Sequence, residues 1–386
     1  MHAMGPWRSR GLVSVWLVVC ALVTWPGGAA AAGLRWTAGR DRAAGDLVEV
    51  ACPSAVLCVA VNNAGGVVVS THPATGAGSW RVVRGLRVLQ LGGTLAQQRT
   101  AAQIDTMAYD LSCPSAHLCL IGAAGAERPG HVPGLPAVAS VVYSTDPAAG
   151  AAAWHTVSGI DDNAGQIVSL TCPSTHLCHV LENVTDSHGN ITAIPLITHN
   201  PTGPAGGWMR TGGTVANYTE GLACPTSALC VAATGLGMYA SANTLGPAAS
   251  WRFAMDTNQT GQIDSVACPS AHLCLAAPDN AGCIPCAAGN DLISTHPAGG
   301  IWRRAAVPTG DLACPTTRFC VGIAQGTRHT RQDLVSSANP AGPPRAWHYL
   351  SGLSGGTRLR ALACASTSFC AAVGDGGEIA AGQAPG

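Results

Sequence analysis

From Leu47 onward the chain alternates short apolar runs with small polar turns, and the alternation itself repeats. Seven near-copies of one stretch set the period: CPSAVLC (52–58), CPSAHLC (113–119), CPSTHLC (172–178), CPTSALC (224–230), CPSAHLC (268–274), CPTTRFC (314–320) and CASTSFC (364–370). An apolar residue stands two positions before each first cysteine (Val50, Leu111, Leu170, Leu222, Val266, Leu312, Leu362), and a run such as CVAV usually follows. Apolar runs bounded by Pro and Ser read as strand, five-residue turn, strand, with the two cysteines facing each other across a hairpin.

A second landmark follows each hairpin: an apolar run, Ser or Thr, a turn, then tryptophan. It reads VVVSTHPATGAGSW (67–80), VVYSTDPAAGAAAW (141–154), LITHNPTGPAGGW (196–208), MYASANTLGPAASW (238–251), LISTHPAGGIW (292–302) and LVSSANPAGPPRAW (334–347). Pro and Gly make each centre a turn, and the flanks alternate as strands do. One unit is therefore four strands, a to d, with the Trp opening strand d. The seventh unit stops without a Trp, while Gly33-Leu34-Arg35-Trp36-Thr37 looks like a stray strand d. Trp36 precedes Cys52 by sixteen residues, as Trp208 precedes Cys224. The expected architecture is an all-β, seven-bladed β-propeller of four-stranded blades, its ring closed by the N-terminal strand. A linear solenoid leaves that completion from the far end unexplained.

Composition sets the context. Arg8 and Arg10 precede an apolar run from Gly11 to Trp25 and then PGGAAAA, so residues 1–32 read as a signal peptide cleaved near Ala32, with 33–386 the propeller. The run falls short of the ~20 residues a membrane span needs, and no second stretch approaches that length. All 20 basic residues are Arg, against 20 acidic ones, and Ala and Gly abound, which points to a GC-rich bacterial source. With no basic excess for a phosphate backbone, nucleic acid is excluded as a partner. Of 17 cysteines, Cys20 lies in the leader. The others pair by even count, as exported proteins do: Cys52–Cys58, Cys113–Cys119, Cys172–Cys178, Cys224–Cys230, Cys268–Cys274, Cys314–Cys320, Cys364–Cys370, and Cys283–Cys286 in a CIPC turn. Zinc is not expected, because equivalent positions of a ring do not converge on one point.

The segment Ser144-Thr145-Asp146-Pro147…Gly150…Trp154 resembles the Asp-box of sialidase-like and other BNR-repeat propellers, with His72, His296, Asn200 and Asn339 standing in for the Asp elsewhere. In those families the box is structural, so the resemblance implies fold and not catalysis.

Four-stranded blades put the a–b and c–d turns on one face and the b–c and d–a loops on the other. The first are nearly constant in length; the insertions, residues 85–104, 122–138, 182–194, 278–291 and 324–334, all fall on the second. Variable loops on a rigid scaffold are where binding usually lives. The candidate binding residues there are Arg99, Glu127, Arg128, His131, Glu182, Asp186, His188, Asp279, Asp291, Arg328, His329 and Arg331, of both charge signs. His117, His176 and His272 recur at one place in the a–b turn and read as exposed turn residues. Three positions before the first cysteine stand Glu49, Asp110 and Asp311, carried by the strands that line the channel. They either hydrogen-bond a neighbouring blade's backbone or channel water, or hold a calcium or magnesium ion; no other cofactor is expected.

Three function classes fit. One is a secreted, monomeric, non-enzymatic scaffold binding an extracellular polymer or protein. The second is a sialidase-like glycoside hydrolase, for which Tyr218, Glu220, Arg99, Arg328, Arg358 and Arg360 are available without the family's arginine-led opening motif. The third is a propeller lyase with a metal near the channel.

Overall fold

In the computed structural model, which describes residues 33–86, 110–124, 139–161, 165–185, 188, 190–211, 214–216, 219–235, 237–245, 251–256, 263–278, 291–305, 309–324, 334–350 and 358–385, each repeat forms one antiparallel sheet with its strands in sequence order. The seven first strands are Leu47–Ser54, Leu111–Ser115, Gly165–Ser174, Thr219–Ala223, Ile263–Ser270, Thr309–Thr316 and Leu359–Ser366. Each packs on the first strand of the next blade, and the seventh returns to the first. That circuit is the wall of a seven-bladed propeller's channel.

The ring closes as the repeat requires. Arg35–Arg40 pairs antiparallel with Glu378–Gln383, in the register Trp36↔Gly382, and supplies the outer strand of the seventh blade. Backbone hydrogen bonds between the two ends of the domain thus replace what would be an open sheet edge.

Strand b explains the low charge. Leu57–Asn62, Leu273–Pro278, Phe319–Ala324 and Phe369–Gly374 are buried at every position, because a blade packs against a neighbour on both faces. Alternate residues serve opposite neighbours: Leu57, Val59 and Val61 join Leu111, Cys119, Ile121 and Trp154 of the second blade, while Cys58 and Ala60 join Phe369, Ala371 and Val373 of the seventh. Every interface repeats this plan, one blade's disulfide and Trp meeting the strand b of the blade before it.

The a–b hairpins differ from the sequence reading in one respect. In six blades the strands run on through both cysteines to a pair such as Ser54↔Leu57, so that two residues make the turn instead of five. The Ser or Thr two positions after the first cysteine stabilises that tight turn, its hydroxyl oxygen accepting the N–H two residues on, as from Val56, His117, His176, His272, Arg318 and Ser368. The side chain substitutes for a backbone acceptor. In the fourth blade the ladder ends earlier, at Ala223↔Val231. All seven C-x5-C pairs are disulfides, with Cα–Cα separations of 4.0 to 4.2 Å. Cys283 and Cys286 lie outside the described residues.

The c–d turns use the same device. Backbone N–H groups of His72, Asp146, Asn200, Asn243, His296 and Asn339 donate to the hydroxyl of the Ser or Thr two residues before. The Asp-box acid is therefore replaceable, since the backbone and not its carboxylate makes the repeated bond. Gly76 and Gly150 adopt φ 93°, which explains the glycine of the motif.

Candidate functional site

The antiparallel order places all a–b and c–d turns at one end of the ring and all b–c and d–a connections at the other. At the second end strand b of the second blade stops at Ala124, of the fifth at Pro278 and of the sixth at Ala324, and the partner strands resume at Ala139, Asp291 and Leu334. Arg99, Glu127, Arg128, His131, Asp186, Asp279, Arg328, His329 and Arg331 lie outside the described residues, as do the leader 1–32 and Tyr218. Among the described residues no helix is long and apolar enough to cross a membrane.

The third blade corrects the loop assigned to 182–194. Leu177–Thr185 and Ile191–Thr198 form one long hairpin paired out to Thr185↔Ile191, and Val215–Ala216 adds a further strand beside it. His188 sits exposed near the tip. Glu182 is instead in the ladder, opposite Ile167 and Ile194, with no exposed surface. Asp291 likewise begins a strand and is buried.

Glu182 belongs to a charged cluster that sequence reading did not assemble. Arg210 grips Asp161 through two nitrogens, Nε to Oδ2 at 2.9 Å and Nη2 to Oδ1 at 2.6 Å, in the bidentate geometry guanidinium favours. Burial first, then the adjacent Asp161 carboxyl, push Glu182 up to about 9, with Arg210 acting the other way. The raised value favours the protonated carboxyl of Glu182 at neutral pH. Asn183, next along the strand, both donates to Thr219 O and accepts from Thr219 N, tying the third blade to the fourth.

The three channel carboxyls influence one another electrostatically. Glu49 is raised well above the usual range by burial first, then by Asp110 and Asp311. Burial also lifts Asp110 to about 7, opposed by the Leu170 and Leu111 N–H groups, and lifts Asp311 against its own donors. Those donors reveal the role of the position. Asp110 Oδ2 accepts Leu170 N–H at 2.6 Å from the third blade, and Asp311 Oδ2 accepts Leu362 N–H at 2.7 Å from the seventh. Ser265, equivalent in the fifth blade, donates to Asp311 Oδ1 and accepts Leu312 N–H. Glu49 Oε1 accepts the N–H of its own neighbour Val50 at 3.1 Å. Neighbouring first strands are thus stitched by side-chain hydrogen bonds.

Among the described residues the three-membered group of His, Cys or carboxylate ligand atoms lying within 4.8 Å of one another is His179, Cys224 and Cys230. His179 is buried in strand b of the third blade, and burial holds its ring down to about 4, with His199 adding to the effect. The repeat contains the signal for it: a histidine follows the second cysteine where the other blades have Val59, Leu120, Val231, Leu275, Val321 and Ala371.

No protein-family model and no curated protein matches the chain. Solved structures do. It is similar to YCF48 bound to D1 peptide, at 11% identity and a TM-score of 0.58, over 91% of this chain and 97% of that one. YCF48 from Cyanidioschyzon merolae gives 11% identity and 0.56, over 90% and 98%. The WD40 β-propeller domain of Doa1 gives 12% and 0.53, over 92% and 96%. These likenesses span the whole ring and establish the propeller fold.

Proposed function

We propose that this chain is an exported, non-enzymatic binding propeller that takes a polypeptide segment or an extracellular polymer on the face of the b–c and d–a loops, around the channel mouth. The observation that carries this reading is the asymmetry of the two faces. One is closed by near-identical turns, each fixed by a disulfide or a hydroxyl-to-backbone bond. The other receives every insertion in the chain, with Arg99, Glu127, Arg128, His131, Arg328 and His329 in mixed charge. Both signs together suit local pairing and hydrogen bonding better than attraction to a single polyanion. YCF48, a propeller of the same architecture, is known with the D1 peptide bound.

Export rests on the apolar leader with Arg8 and Arg10 before it and on the disulfide in every blade. The enzymatic readings draw less support. The Asp-box resemblance accounts for the c–d turns, where the recurring bonds are to backbone. The channel acids Asp110 and Asp311 are engaged in binding neighbouring strands, which favours a structural role over ion binding.

The test is a cell-surface pull-down and a glycan array, run beside a variant whose 122–138 and 324–334 segments are replaced by short turns. Loss of the captured partner in the variant is expected. Undiminished capture would move the site elsewhere, and turnover of a sialoside by the parent protein would replace binding with hydrolysis.

A further inference from the structure

Where six blades place an aliphatic side chain against the next blade's disulfide, the third places His179 against Cys224–Cys230. The residue is 4% exposed, and its Nε2 has no hydrogen-bond partner among the described residues. A ring nitrogen and both sulfurs all lie within 4.8 Å of one another. A buried imidazole nitrogen left unpaired against two sulfurs costs stability that valine or leucine would not. We propose that His179, Cys224 and Cys230 are a latent zinc site, closed while the disulfide is intact and formed when it is reduced. This inference is independent of the loop-face binding reading.

The chemistry balances with a dithiol as reductant. The dithiol supplies two electrons and two protons and becomes a disulfide itself; the Cys224–Cys230 bond breaks to give two thiols. Zn2+ then displaces both thiol protons to solvent, forming two Zn–S bonds, and the His179 nitrogen lone pair makes the third bond. Water completes the tetrahedron, the arrangement of zinc sites with three protein ligands. Thiolate with imidazole is a donor set that selects zinc over calcium or magnesium.

Geometry in the fourth blade permits the change. With Zn–S near ~2.3 Å, two thiolates of a tetrahedral site sit roughly 3.8 Å apart, so the sulfurs need separate by less than about 2 Å. In the other six blades a backbone pair beyond the cysteines, such as Ser174↔Leu177, holds the turn against widening. The fourth blade lacks that pair, its ladder ending at Ala223↔Val231; its turn is held by Thr226 Oγ1 accepting the Ala228 and Leu229 N–H groups and by Thr244, which donates to Ser227 O and Ala228 O, bonds that leave the two cysteine backbones untied to each other. Leu181, Ala193, Val215, Leu222 and Ala232 enclose the sulfurs in an apolar shell that strengthens metal–thiolate attraction.

The experiment uses the full chain with Cys283→Ser and Cys286→Ser, which removes the competing C-x-x-C. Native protein is treated with graded dithiothreitol and Zn2+, desalted, and analysed for bound zinc, for free thiols by alkylation and mass spectrometry, and for fold by circular dichroism. About one zinc per chain is expected once Cys224 and Cys230 become alkylatable, and none before. A His179→Leu variant, with the residue the second blade uses, is expected to fold and to lose that zinc. Folded protein with both thiols free and no zinc would overturn the proposal. So would equal zinc in His179→Leu, or a chain that unfolds before this disulfide opens.

Discussion

Trp36 and Gly382 face each other across the seam where the two ends of the domain meet: a Cβ on Gly382 would lie 2.5 Å from the indole Cε2 and 2.7 Å from Cζ2. The ring fills the space that only glycine leaves. Gly382→Ala forces the indole or the strand to shift, and overpacking of this kind costs about 1–3 kcal/mol. Thermal melts should show a lowered Tm for Gly382→Ala, and none for Gly33→Ala, whose Cβ would meet nothing. Equal melts for the two would mean the seam accommodates a methyl freely.

Removing residues 33–38 should destabilise the ring more than removing 383–386. The first deletion takes Trp36, Thr37 and Ala38 from the outer strand and exposes the edge of Glu378–Gln383. The second loses Gln383 with its bond to Ala74 O and the Ala384 N–H bond to Ser368 O, at the end of the strand. Urea unfolding of both truncations compares them directly. Similar midpoints would count against closure by the N-terminal strand as the stronger clasp.

The repeat made the architecture legible before any coordinates, because cysteines and tryptophans recur at positions that every blade must fill alike. The sixteen-residue spacing from Trp36 to Cys52 was enough to assign the closing strand. The alignment of first cysteines also placed Glu49, Asp110 and Asp311 together, since equivalent positions on inner strands face a common axis. What the pattern did not reveal are departures from the repeat. Glu182 lies in a polar stretch, ENVTDSHGN, that reads as a loop, yet Asp161 and Arg210 from distant positions make its burial possible. His179 breaks the repeat at a single position inside strand b, where the other six blades carry aliphatic residues, and a one-residue departure leaves the pattern of the blade unchanged. The two-residue turns escaped because Ser and Pro signal a turn without fixing how far the ladder runs into it.

Asp110 should make stability fall as pH rises through neutrality. Its carboxyl titrates near 3.8 in the unfolded chain and at about 7 in the fold. Between those values the native state holds more protons than the unfolded one, so stability is greatest below about pH 4 and is lost as pH climbs towards 7. Asp110→Asn keeps an oxygen for the Leu170 N–H and has no charge to bury. The variant should gain roughly 1–4 kcal/mol relative to the parent between pH 4.5 and pH 8. Unfolding free energies at pH 4.5, 6 and 8 check the slope. Parallel profiles would show that the channel tolerates the charge.

Glu182 allows a sharper separation of charge from shape. Its carboxyl is completely buried, and burial together with Asp161 keeps it protonated up to about pH 9. The folded value lies above the unfolded one, so its contribution is fully present below about pH 4.5 and is lost as pH rises through 9. Glu182→Gln preserves volume while removing the ionisation. It should therefore match the parent near pH 4.5 and exceed it increasingly at pH 7 and 9. Glu182→Ala instead leaves a void beside Gly165, against which the side chain packs, and should lie about 1–3 kcal/mol below Glu182→Gln at every pH. Arg210→Ala strands the Asp161 carboxylate, whose side chain is 6% exposed, without its guanidinium. That loss should be larger, about 2–4 kcal/mol. Chemical denaturation of the three variants at pH 4.5, 7 and 9 distinguishes these outcomes. A Glu182→Gln protein weaker than the parent at pH 9 would show that the carboxyl is held in its ionised form and that Arg210, not burial, governs it.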